Sequence, residues 1–116
     1  MYIRKGRPED MEAVFGLIQE LAVFEKEPDA VLVTVDDLIR DGFDPVPLFH
    51  VFVAELESEI VGIALYYYRY STWKGKTLHL EDLVVKEKMR GTISFSEENQ
   101  ERAKTAPYVS ALFARE

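Results

Sequence analysis

The hydrophobic positions of this chain change period twice, and the changes divide it into elements. Residues 2–5, YIRK, form a short strand candidate. In the following GRPEDMEAVFGLIQELAVFEKE, Met11, Val14, Phe15, Ile18 and Ala22 recur at spacings of three and four, which predicts an amphipathic helix. Leu21 widens its apolar face. The next position along the stripe is Glu25, so a carboxylate is expected at the rim of the core. Pro8 suits a first helical position, and Glu9 and Asp10 suit the positive end of a helix. Thr34, with Asp37 three residues on, resembles a capping box for a short helix VDDLIRD, and Gly42 is expected to end it.

The period then shortens to that of strands. LFHVFVAEL (48–56), IVGIALYYYRY (60–70) and TLHLEDLVV (77–85) are separated by a turn at Glu57-Ser58-Glu59 and by the loop STWKGK, which predicts an antiparallel meander. The run 60–70 is almost wholly apolar or aromatic and is expected to be central, covered on both faces. Past Val85 the sequence turns basic and polar. SFSEENQERAKTA permits a helix over about 95–105 with a poor apolar face, stopped by Pro107, and a short strand is possible beyond it. One α/β domain of mixed α+β character is expected, over residues 1–91, followed by a distinct tail, 92–116.

Composition narrows the chemistry. The chain has 116 residues and no cysteine, so disulfides, thiolate metal sites and cysteine nucleophiles are excluded. His50 and His79 are too few and too far apart for a readable metal motif. A formal charge of −7 argues against nucleic acid and anionic membranes as partners, and it suits a cationic ligand. No stretch approaches a membrane span and no signal-peptide pattern opens the chain, which gives the expectation of a cytoplasmic protein.

Glu81 and Asp82 interrupt an apolar strand, where charges are costly unless paired or set in a cleft. Adjacent strand residues face opposite sides, so the two are expected to do different jobs: one a base or amine ligand, the other a brace. A wet sheet edge is the plain alternative. Glu25 reads equally as a surface residue, and Trp73 as either loop packing or an aromatic wall for an amine. Tyr66, Tyr67, Tyr68 and Tyr70 read as strand packing, and His79 as structural.

IRKGRPEDMEAVFGLIQELAVFE, DLIRDGFDPVPLFHVFVAE, IVGIALYYYRYSTWKGKTLHLEDLVV and KEKMRG follow one another in an order and spacing that resemble the GCN5-related N-acetyltransferases. The likeness is to the diamine branch, of spermidine/spermine and thialysine type, and it spans residues 2–91. It implies an antiparallel N-terminal sheet with two helices after the first strand, and acetyl transfer from acetyl-CoA to a primary amine without a metal. It further implies Glu81 as the catalytic base facing the amine, and Phe24, Glu25 and Glu81 as substrate contacts, with Trp73 matching the branch pattern. The backbone of Leu83, Val84 and Val85 would serve the pantetheine arm, and Arg90 and Gly91 would open the pyrophosphate loop. The resemblance also implies a homodimer.

After Gly91 the likeness ends. The family continues with further glycines, whereas this chain reads RGTISFSEENQERAK. The expectation is a C-terminal half truncated or replaced, weak CoA binding or none, and two open readings: an amine acetyltransferase, or an inactive fold core or dimerisation module.

Overall fold

A computed structural model of the protein describes residues 2–86. The expected helix 95–105, the short strand after it, Arg90 and Gly91 lie outside the described residues.

Strand β1 (Tyr2–Lys5) leads through a 3-10 turn, Pro8–Asp10, into helix α1 (Met11–Phe24), followed by helix α2 (Val35–Phe43). Strands β2 (His50–Leu56), β3 (Glu59–Ser71) and β4 (Gly75–Val85) complete an antiparallel sheet of order β1-β2-β3-β4. The anticipated meander and two-helix insertion are therefore present. Both helices lie on one face. There Met11, Val14 and Leu17 meet Val53, Ile63 and Val84, while Phe52, Ala64, Tyr66 and Val85 form a cluster on the other face.

The local chemistry explains the element ends. Thr34 caps α2 reciprocally: its hydroxyl accepts from Asp37 N–H at 3.1 Å, and Asp37 accepts from Thr34 N–H at 2.9 Å. Gly42 departs from expectation, since it lies inside α2 rather than beyond it. An added Cβ would meet the Phe49 ring at 2.6 Å, so close approach, not helix termination, requires glycine there. The β2–β3 turn holds Glu57 and Ser58 at φ 50° and 68°, the signs of a two-residue I′ hairpin. Between β3 and β4 the turn is tighter than the six-residue loop expected. Ser71 Oγ accepts from Trp73 and Lys74 N–H, and Gly75 takes φ 81°.

One ionic cluster ties β1, the turn leading into α1, and β2 together. Arg4 on β1 donates to both oxygens of Asp10, at 2.7 and 3.0 Å, and to Glu55 on β2 at 2.9 Å. Asp10 also accepts from Arg7 N–H at 2.7 Å. The Arg4 hydrogen bond, partly opposed by burial, holds Asp10 below the usual carboxylate range.

Candidate functional site

Helix α1 ends by placing Glu25 beside the sheet. Glu25 is the C-cap residue, and Lys26 follows in the left-handed region at φ 62°. Lys26 N–H donates to Val23 O at 3.0 Å and Glu27 N–H to Ala22 O at 2.8 Å. These are the two bonds of a Schellman motif, which fix the exit of the chain and hence the position of Glu25.

On β4 the pairing register slips. Leu65 faces Asp82 and Tyr66 faces Leu80, so Glu81 is the extra residue of a β-bulge. The bulge breaks the strict alternation from which Glu81 and Asp82 were expected to point apart. Glu81 is exposed and lies 3.5 Å from His79 Nε2, whose ring packs on Tyr67. Asp82 is half-buried, and its pKa is raised by burial first, then by the charges of Glu81 and Glu25. The three carboxylates thus share one field. Among the described residues no lysine or arginine is paired with any of them. Such a group is short of positive charge and suits a cation. Asp82, singled out with Glu81 by its position inside an apolar strand, is thus brought beside both other acids.

Beside this cluster a groove of ≈ 490 Å³ runs between α1 and the end of β4, lined among others by Phe24, Val84 and Val85. Phe24 is 68% exposed, whereas Val84 and Val85 are 5% and 6% exposed. Beyond them, among the described residues, β4 pairs with β3 alone. The bond from Lys86 N–H to Val61 O, 2.8 Å, sets the phase of the ladder. In an antiparallel pair, inward and outward backbone groups alternate. Val84 therefore turns towards β3, and its carbonyl lies 3.3 Å from where a Gly62 Cβ would stand. Leu83 and Val85 turn their N–H and C=O groups outward, fit to hydrogen-bond an extended amide-bearing ligand.

Trp73 is not brought to this cluster. It sits at the β3–β4 tip, 94% exposed. Glu81 lies six positions along the strand from Gly75, roughly 20 Å. Tyr70, expected to pack, is 78% exposed beside it. No group of three or more His, Cys, Asp or Glu among the described residues is set to hold a metal, and no described helix is long and apolar enough to cross a membrane.

The acetyltransferase (GNAT) family model matches residues 12–92, from the start of α1 through the bulged strand. The chain belongs to the GNAT acetyltransferase family. Thialysine N-epsilon-acetyltransferase of Bos taurus is 41% identical to it over 97 residues, covering 77% of this chain and 57% of the relative. Spermidine/spermine N(1)-acetyltransferase-like protein 1 of Homo sapiens is 40% identical over 96 residues, covering 77% of this chain and 14% of the relative. The chain thus spans little more than half the length of the thialysine enzyme. An aminoglycoside acetyltransferase from a soil metagenome, solved with sisomicin, superposes with a TM-score of 0.62 at 17% identity, covering 95% of this chain and 69% of that one. An acetyltransferase of Vibrio fischeri gives 0.61 at 20%, covering 90% and 84%. At these identities the structural likeness is one of fold.

Proposed function

We propose that this chain carries the amine side of an N-acetyltransferase, moving acetyl from acetyl-CoA to a primary amine of a polyamine, diamine or lysine-like small molecule. The observation that carries this reading is the trio Glu25, Glu81 and Asp82, without a lysine or arginine partner among the described residues, next in sequence to the groove residues Phe24 and Val84. The relatives named for thialysine and for spermidine/spermine support the same acceptor class.

The chemistry asks for such a trio. A primary ammonium with a pKa near 10.4 is neutral in roughly one molecule in a few thousand at pH 7. Carboxylates concentrate the cation, and one of them must take its proton before nitrogen can attack the thioester carbonyl. Glu81, exposed and set forward by the bulge, is assigned that proton. Glu25 and Asp82 hold the ammonium, with Phe24 as the apolar wall. Leu83 and Val85 offer backbone donors and acceptors to the acetyl-CoA arm. A second reading gives the base role to Asp82, because its raised pKa brings it nearer the working range of a general base. Trp73, some 20 Å along the strand, acts as an amine wall only in the site of a second copy, which accords with a homodimer.

The test is acetylation of spermidine and of a lysine analogue by this chain, read by mass spectrometry. Glu81→Gln is expected to lower kcat/KM about a hundredfold, with acetyl-CoA affinity unchanged in calorimetry. Equal loss of both would overturn the role of Glu81. Loss confined to Asp82→Asn would transfer it to Asp82. Amine binding without any acetylated product would leave the chain a binding module.

A further inference from the structure

A second cleft, of ≈ 310 Å³, opens where β1 stops and β2 begins, and its charge is opposite to that of the acid trio. Lys5, His50, Tyr66 and Tyr68 line it, together with the backbone of Gly6 and Gly42. The side chains come from three adjacent strands and follow from register: His50 pairs with Tyr66, and Lys5 with Phe52. The His50 ring stacks on Tyr66 at 5.3 Å and meets Tyr68 edge-on at 5.9 Å. From β4, Lys76 lies over the Tyr68 ring, 4.4 Å from its centroid.

Two features distinguish this cleft from ordinary strand packing. Among the described residues no carboxylate lines it, in a chain whose formal charge is −7. Neither ring nitrogen of His50 is bonded to another described residue, and neither is sealed from solvent. The imidazole is therefore oriented by its ring contacts while its polar atoms remain available. Burial, then the charges of Lys5 and Lys76, lower its pKa. The volume is at the lower end of small-ligand pockets.

We propose that the cleft between Lys5, His50, Tyr66 and Tyr68 is a binding site for a small phosphate-bearing anion. Lys5 and Lys76 supply its counter-charge, and His50 takes up a proton as it binds. The site is separate from the acid trio and rests on no assumption about acetyl transfer. Its occupant is either free phosphate or a phosphomonoester whose flat group joins the Tyr66–His50 stack.

The test follows the His50 ring protons by NMR during titration with inorganic phosphate, phenyl phosphate or sodium chloride at matched ionic strength. Phosphate is expected to raise the His50 pKa saturably, while chloride leaves it in place. Tighter binding of phenyl phosphate would identify an ester, and equal binding free phosphate. Lys5→Gln and Lys76→Gln, both exposed side chains outside the core, are each expected to weaken binding about tenfold. A His50 pKa that moves no more with phosphate than with chloride would overturn the proposal. So would a response unchanged in the double variant.

Discussion

Asp10 and Asp82 are the same side chain in two opposite settings. Asp10 sits under Arg4 with a bidentate pair and a backbone donor, and its proton affinity falls. Asp82 is half-buried among other acids with no cation paired to it among the described residues, and its proton affinity rises. The first setting holds β1, the turn leading into α1, and β2 together. The second works against the fold, and such a setting is understandable where a missing cation is to be supplied by a ligand.

The contrast can be broken from either side. The largest effect is expected from Arg4→Met, which strips Asp10 of its bidentate partner in a mostly buried position and leaves it the Arg7 N–H and the more distant Arg7 side chain: about 3 kcal/mol of stability lost in denaturant unfolding. Asp82→Asn should act in the opposite direction, raising the melting temperature at pH 7 by a few degrees while impairing amine binding. A loss of stability in that variant would mean that Asp82 has a cation partner after all.

The pH dependence sharpens the same contrast. The folded pKa of Asp82 is raised above its unfolded value near 3.9, so the native state binds the extra proton and loses stability as pH rises through that window. The advantage of Asp82→Asn over the native chain should be greatest at neutral pH and close towards pH 4. Asp10 has the opposite sign: its stabilisation is present above its unfolded value and disappears as pH falls through its depressed folded one. Thermal melts from pH 3 to 7 separate the two. Lys26→Gly should add about 1 kcal/mol by relieving the left-handed backbone at the end of α1. Trp73→Ala should change stability by less than about 0.5 kcal/mol, so any larger effect of that substitution on amine affinity would isolate a role in recognition.

Periodicity disclosed α1 and the three strands of the meander, because each buries a face and repeats accordingly, whereas α2 was legible from its Thr34–Asp37 capping box. Leu17 was absent from the predicted stripe, yet it is among the most buried residues of α1. Where two geometries share one composition, the sequence was ambiguous. Gly42 resembles a helix stop but makes room for Phe49, a contact between positions seven residues apart that no local pattern reveals. Tyr66 and Tyr70 look alike in YYYRY, but β3 runs past the edge of the core, so one is buried and the other exposed. Of the candidate site, Phe24, Glu25, Glu81, Val84 and Val85 gather at one end of α1 and along β4, and Trp73 does not. The bulge that frees Glu81 depends on the register of two strands, and residue types alone do not encode it.

The outward groups of Leu83 and Val85 also set a length. Residues two apart on a strand are about 6.8 Å apart, so a molecule lying along this edge must carry its own polar groups at that repeat. This ruler is written in the main chain. Exchanging Leu83 for isoleucine leaves it unchanged, whereas proline, which has no N–H, erases one of its marks. Ligand choice at this edge is therefore insensitive to most side-chain drift and sensitive to the register of a single strand.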